Sequence, residues 1–252
     1  MLVKCEGIVI RARDYGESHQ VVTLFTREQG KMAAMARGAK KPKSRLSAAT
    51  QPFTSGWYLC YTGSGMATLS QAEIQRSRYG LRSDLLLTAV AAYITELLDK
   101  LTEERQVQPA LFSQLETTLD MLEEGADPDI LTHIFELKVL EAGGYRPRLD
   151  GCVHCGAVDQ PVSFSVASGG FLCLDCVYRD KRAIPITSAT ARVLKLLQRV
   201  SPDRVGQVDL KRETRSQLER ITRAFIDEHV GVPLKSRGFL ERMKRDWQDE
   251  KK

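Results

Sequence analysis

Hydrophobic and polar positions change period near residue 80. Before it, apolar residues alternate or run in short β-branched blocks; after it, they recur at steps of three and four. Residues 2–13 are rich in β-branched side chains without helical spacing, which predicts a strand, and residues 14–18 a turn. Residues 20–26 alternate as a second strand. Residues 32–36 follow the Gly30 turn as a third, and residues 57–61 and 66–70 add two more. Five short strands with no helix signal among them predict a small barrel. The five-stranded OB-fold is the natural candidate and an SH3-like barrel the rival.

Beyond residue 81 the pattern is helical. Leu86, Val90, Tyr93, Leu97 and Leu101 form one stripe, predicting a helix over 81–101. Pro109 opens a second helix, with Leu111, Leu115, Leu119 and Leu122 on its buried side and Gly125 at its end. Asp127 followed by Pro128 is an N-cap with proline at the first helical position. The third helix then carries Ile130, Ile134, Leu137 and Leu140 and stops at Gly143. Further on, Thr187 or Ser188 caps a helix bearing Leu194, Leu197 and Val200. Asp209 caps a longer one bearing Leu218, Ile221, Phe225 and Val230. The pattern places a barrel at 1–80 and a helical bundle in two parts at 81–150 and 183–240, the last stretch, 234–240, irregular. A frayed basic tail at 241–252 includes Lys244, Arg245, Lys251 and Lys252.

Between the two helical parts stands the most specific motif of the chain. Cys152 and Cys155 form one C-x-x-C pair and Cys173 and Cys176 another, seventeen residues apart. A separation of about 15–20 residues is that of a four-thiolate zinc site. The intervening residues read strand, glycine turn, strand, so residues 151–182 are predicted to be a zinc ribbon. Four protein ligands leave no open position, which makes the metal structural. His154 reads as a solvent-facing loop residue. Two disulfides, or a redox C-x-x-C, are the competing readings. The chain opens without an apolar signal segment, and Cys5 and Cys60 sit alone on strand-like stretches, as buried free thiols do. Both point to a reducing, cytoplasmic compartment, where stable disulfides are rare. No run approaches the roughly 18 apolar residues of a membrane span.

Charge sharpens this outline. The net formal charge is only +5, but residues 1–80 carry +7, residues 81–150 −8 and residues 151–252 +6. No Asp or Glu lies between Glu28 and Glu73, and within that gap Arg37, Lys40, Lys41, Lys43 and Arg45 occupy nine residues. An acid-free basic loop leaving a barrel suits the approach of a phosphate backbone. Arg76 and Arg78 extend it. Phe53, Trp57, Tyr58 and Tyr61 are candidate stacking faces for bases, though alternation buries about half the aromatics of a small barrel. The adjacent Glu103 and Glu104, like Glu123 and Glu124, are placed at helix ends as solvated surface. No phosphate-binding G-x-x-x-x-G-K-[ST] loop and no H-E-x-x-H motif occurs, so nucleotide hydrolysis and zinc proteolysis are disfavoured.

Residues 36–45 (Ala-Arg-Gly-Ala-Lys-Lys-Pro-Lys-Ser-Arg), followed by Gln51, Pro52 and Phe53, resemble the hallmark of the bacterial RecO family of DNA repair and recombination mediators. So do residues 143–147 (Gly-Gly-Tyr-Arg-Pro) leading into Cys152. The resemblance covers all but about the last ten residues. It implies an α+β chain in which an OB barrel precedes a helical bundle with an inserted zinc ribbon. It also implies a non-enzymatic, nucleoid-associated activity: binding single- and double-stranded DNA, annealing complementary strands, and acting with RecR so that RecA displaces single-strand-binding protein. A receptor for the acidic, apolar-ended tail of that protein needs a hydrophobic pocket rimmed by cations. Leu218, Ile221 and Phe225, beside Arg215, Arg220 and Arg223, are the candidate for it. A zinc-ribbon transcription or translation factor is the alternative of another class, and a metal-independent nuclease the enzymatic one.

Overall fold

Five strands close into a barrel in the computed structural model, which describes residues 1–158, 161–205 and 208–250, with side chains as far as residue 245. They are β1 (Leu2–Tyr15), β2 (His19–Thr26), β3 (Gly30–Ala36), β4 (Ser55–Tyr61) and β5 (Ala67–Arg76), in the order β1-β2-β3-β5-β4. Every pairing is antiparallel except β3 with β5. This closed Greek-key order is that of the OB-fold and decides against the SH3-like rival. Alternate side chains fill the interior: Cys5 and Val9 from β1, Val22 and Leu24 from β2, and Ala34 and Ala36 from β3. From β4 and β5 come Tyr58, Cys60 and Leu69. At two positions only glycine fits. A Cβ on Gly56 would stand 2.1 Å from the carbonyl oxygen of Glu73, where the β4–β5 register shifts; one on Gly30 would stand 2.2 Å from that of Gln106, at a φ of +65°.

Three helices follow: α1 (Tyr79–Ser83), α2 (Leu85–Leu101) and α3 (Pro109–Glu123). The helix predicted over 81–101 is interrupted at Asp84, which is extended and accepts a hydrogen bond from the Leu87 N–H as the N-cap of α2. The predicted stripe of α3 is buried throughout. Next come α4 (Pro128–Ala142), the hairpin β6 (Ser163–Ser165) and β7 (Gly170–Leu172), β8 (Ile184–Pro185), α5 (Ser188–Arg199), α6 (Arg212–His229) and α7 (Lys235–Glu250). Asp127 caps α4 and Thr187 caps α5, as predicted. The cap expected at Asp209 is not used: α6 begins three residues later, after Lys211, without a side-chain cap.

The helical part divides. Residues 1–125 and the segment from Leu234 form one compact unit, residues 126–233 the other. This replaces the predicted division of the bundle at 81–150 and 183–240, because α2 packs against β1, α3 and α7 and is spent on the barrel side. Residues 234–250, expected to be irregular and then frayed, are instead mostly the helix α7, with Leu240 buried; Lys251 and Lys252 lie outside the described residues. Glu96 of α2 holds the start of α7, accepting from the backbone N–H groups of Lys235 (3.1 Å) and Ser236 (2.7 Å) and from the Ser236 hydroxyl. Burial pushes the Glu96 carboxyl up, but these donors outweigh it and hold it below the ordinary carboxylate range. A depressed carboxylate stabilises the fold above its unfolded pKa and loses that contribution as pH falls through the folded one. The stability difference between wild type and Glu96→Gln is therefore expected to be full at neutral pH and to vanish on acidification. A difference independent of pH in denaturant titrations would show that the carboxylate's charge plays no part.

The charge segments also acquire a physical meaning within the first unit. Lys31 pairs with Asp99 of α2 at 3.1 Å. Arg27 reaches Glu6 at 2.5 Å, donates to Ser113 at 2.9 Å and lies 4.5 Å over the Phe112 ring, with Glu116 at 3.3 Å. The acids of α2 and α3 thus neutralise basic residues on one side of the barrel.

Candidate metal centre and nucleic-acid interface

The ribbon is built on the β6–β7 hairpin, paired Ser163 to Leu172 and Ser165 to Gly170. Two tight turns bring the cysteines to one point. The Gly156 N–H donates to the Cys152 carbonyl at 2.9 Å, and the Cys176 N–H to that of Cys173 at 3.1 Å. The four sulfurs of Cys152, Cys155, Cys173 and Cys176 all lie within 4.8 Å of one another. None of the four is in a disulfide, and the 3.6 Å between the Cys155 and Cys173 sulfurs is far beyond a disulfide bond of about 2.05 Å. It is close to the roughly 3.8 Å that tetrahedral thiolates at about 2.3 Å from zinc require. The donor set therefore fits a four-coordinate metal, and His154 is exposed outside it.

Crowding spreads the acidities of these thiols. Burial and then hydrogen bonding to Cys155 push Cys176 up to about 12. At Cys152 burial works against the thiolate, but the backbone N–H groups of Cys155, Cys173 and His154 outweigh it and bring the group to about 6. Cys152, drawn down, beside Cys173 and Cys176, pushed up, is an opposition that a cation reconciles, since coordination ionises every thiol it meets.

The basic loop between β3 and β4 presents Arg37, Lys40, Lys41, Lys43 and Arg45, all exposed. It is anchored to the β1–β2 turn: the Lys40 N–H donates to Ser18 (3.1 Å), the Gly38 N–H to His19 Nδ1 (2.9 Å), and Thr50 Oγ1 to Gln20 (2.8 Å). Ala39 and Ala49 plug the barrel interior, and the Tyr58 hydroxyl donates to the Ala49 carbonyl. A hydrogen-bonded frame therefore carries the exposed cationic ends. Lys40 is paired with Asp14 at 2.5 Å, and this ammonium is the main reason the Asp14 carboxyl sits below its usual range. Among the described residues no carboxylate lies in ion-pair reach of Arg37, Lys41, Lys43 or Arg45.

Arg78 does not belong to this surface. Its side chain is fully buried, paired with Asp120 of α3 at 2.8 Å and donating to the Phe53 carbonyl at 2.9 Å. A guanidinium with no exposed surface cannot present a donor to a phosphate. Arg76 shares Asp120 at 3.2 Å but keeps an exposed side chain. Of the aromatics, Phe53 and Tyr58 are core, Trp57 is half-buried under the Lys4 ammonium, and Tyr61 is exposed. Tyr15, the last residue of β1, is also exposed.

The pocket expected on α6 is absent. Leu218, Ile221 and Phe225 are all buried, Phe225 edge-on to Phe164 at 6.0 Å and against His229 at 4.3 Å. The stripe is simply core. Arg215 is engaged with Asp127 at 2.7 Å and Asp129 at 3.8 Å, at the start of α4, and Arg223 lies 4.0 Å from Asp227. Arg220 and Arg223 both remain as exposed flanks of that buried stripe.

No helix among the described residues is long and apolar enough to cross a membrane. Residues 1–78 match the family described as Recombination protein O N terminal, and residues 82–238 the one described as Recombination protein O C terminal. The chain is similar to proteins named DNA repair protein RecO. It is 48% identical to that of Bacillus subtilis over 96% of this chain and 95% of the relative. It is 46% identical to that of Halalkalibacterium halodurans, over 96% of each. The Shouchella clausii protein is 46% identical over 96% of this chain and 95% of its own. The closed barrel, the four-cysteine ribbon and these two matches, which between them span nearly the whole length, agree: the chain belongs to the RecO family of DNA repair proteins.

Proposed function

We propose that this protein is a non-catalytic recombination mediator. It binds single- and double-stranded DNA, anneals complementary strands and, with RecR, helps RecA onto DNA coated by single-strand-binding protein. The observation that carries the reading is the unpaired cationic loop, Arg37, Lys41, Lys43 and Arg45, held on an OB barrel beside Lys40 and the exposed Arg76. Phosphate contacts from such a loop position a strand without reading its sequence, as annealing of arbitrary complements requires. Zinc is the metal that four thiolates at this spacing select, and its role is to hold the ribbon's shape. Receptors for RecR and for the tail of single-strand-binding protein are part of this reading, the latter now without α6 as its pocket.

The test is strand annealing on DNA pre-coated with single-strand-binding protein, with and without RecR. Annealing without cleavage supports the mediator; cleavage, or binding without annealing, overturns it. The loop has its own signature. Five phosphate contacts at roughly −0.7 each give a log–log salt slope near about −3.5 for single strands. Lys41→Ala with Lys43→Ala is expected to make it shallower by about 1.4, by nearly the same amount for every sequence. A slope unchanged in that variant would move the DNA site off the loop.

A further inference from the structure

A second acid-free stretch runs from residue 181 to 202, between Asp180 and Asp203, and it starts at the metal ribbon. Between Val177 and Arg199 stand six Lys and Arg against the single acid Asp180. That acid is half-buried and engaged: Ser165 Oγ donates to its carboxylate at 2.6 Å and the Arg182 N–H at 2.8 Å. The short turn Val177–Arg179, directly after the ligand Cys176, leaves Tyr178 69% exposed with the Arg179 guanidinium 5.7 Å over its ring. Lys181 and Arg182 follow, both exposed. On the other side of the same cysteine turn, Leu174 and Asp175 wall a groove of about 740 Å³ that Arg192 and Lys195 of α5 also line. Among the described residues, Asp175 is the one acid lining that groove.

We propose that this face of the ribbon, around Tyr178, Arg179, Lys181 and Arg182 and continuing toward Arg192 and Lys195, is a second single-strand DNA site, separate from the barrel loop. A merely solvated face mixes both signs of charge and has no use for a large exposed ring. Here cations gather about an open aromatic face, and bases stack on such faces without regard to sequence. A metal held by the four cysteines would fix the turn that carries them and so preorganise the site. The proposal rests on the mediator reading and deepens it. Annealing needs two strands on one protein, and the barrel loop offers a track for one.

The test uses the full, metal-loaded chain and a short iododeoxyuridine-substituted oligodeoxythymidylate. Two oligonucleotides are expected to bind per chain, with photo-cross-links in the peptide containing Tyr178 as well as in the loop of residues 37–45. Arg179→Glu with Arg182→Glu should reduce the stoichiometry to one and slow annealing by roughly tenfold, in the range that lost stacking and phosphate contacts cost. The affinity of the remaining oligonucleotide should be nearly unchanged. Tyr178→Ala, which removes only an exposed ring, should retain its metal and lose the cross-link and much of the annealing rate, guarding against a folding defect in the double variant. One oligonucleotide per wild-type chain, cross-linked only to the barrel loop, overturns the ribbon site and leaves the barrel reading standing; no binding at all overturns both. Displacement of an acidic polyglutamate peptide from this face, with oligonucleotide stoichiometry unaffected by the variants, would make it a protein-docking surface and also overturn the proposal.

Discussion

Cys155→Ser is expected to empty the metal site and to release the ribbon from its folded form. Cys155 is the exposed member of the quartet, so a serine hydroxyl there would meet water and, in a site without metal, change little. With zinc bound, the substitution removes one of four thiolates. Structural zinc contributes on the order of 10 kcal/mol to the folding of small modules. The ribbon has little to set against that loss. Its core is Cys152, Leu172, Cys173 and Cys176 with Val153, Ala157 and Ala183 packed on it, so three of its four buried members belong to the candidate metal quartet. Three checks are decisive: about one zinc per chain in the reduced wild type, loss of that zinc in the variant, and protease cleavage within residues 151–182. A variant that keeps wild-type protease resistance without metal would show that the hairpin holds itself. Less than about half an equivalent of zinc in the wild type, together with a disulfide in the native mass, would restore the redox reading.

Arg78→Ala is expected to cost about 3 kcal/mol of stability, the low end for a broken buried pair, because Asp120 loses its buried partner and keeps only the exposed Arg76. Arg78 does three things at once. It takes a left-handed backbone conformation, φ +45°, at the end of the barrel; it pairs with Asp120 of α3; and it donates to the carbonyl of Phe53, itself at φ +69°. The loss should therefore loosen the attachment of α3 to the barrel and the base of the cationic loop together. Arg78→Lys, with one point charge in place of a planar fork, should recover only part of it. Urea denaturation measures the effect. The salt slope of DNA binding in the folded fraction should stay at the wild-type value, because the guanidinium never reaches solvent. Stability within about 1 kcal/mol of wild type, with a slope shallower by roughly 0.7, would return Arg78 to the DNA surface.

These two residues mark where reading the sequence succeeds and where it stops. The quartet was legible because metal coordination imposes a spacing along the chain itself: a C-x-x-C turn sets two sulfurs side by side whatever else surrounds it. The five strands were legible for a similar reason, alternation being a property of each strand alone, and the cationic loop because an acid-free interval is visible as composition. Arg78 was misread because its sequence neighbourhood, close after Arg76 on a basic strand, says nothing about Asp120, forty-two residues away. Leu218, Ile221 and Phe225 were correctly seen as one apolar stripe. Whether a stripe is pocket or core depends on what covers it, and Phe164 lies sixty-one residues before Phe225.

The helices show the same division. Stripe and cap signals placed α3, α4 and α5 where they stand, because helix formation and capping are settled within a few residues. The grouping of helices was not settled locally. An amphipathic stripe records that a face is buried and not which partner buries it, so α2 and α3 fitted a single bundle with α4, α5 and α6 on paper. Close packing against β1 and the Glu96 contacts with Lys235 and Ser236 gave α2 and α3 to the barrel's unit instead. By itself, then, the sequence determined the barrel, the cysteine quartet, the cationic loop and the family, all of which rest on short-range spacing. Only the tertiary structure decided which charges remain free. Coulomb pairing joins residues far apart in the chain, and it consumed Arg27, Lys31 and Arg78 while leaving Arg37, Lys41, Lys43 and Arg45 for a partner.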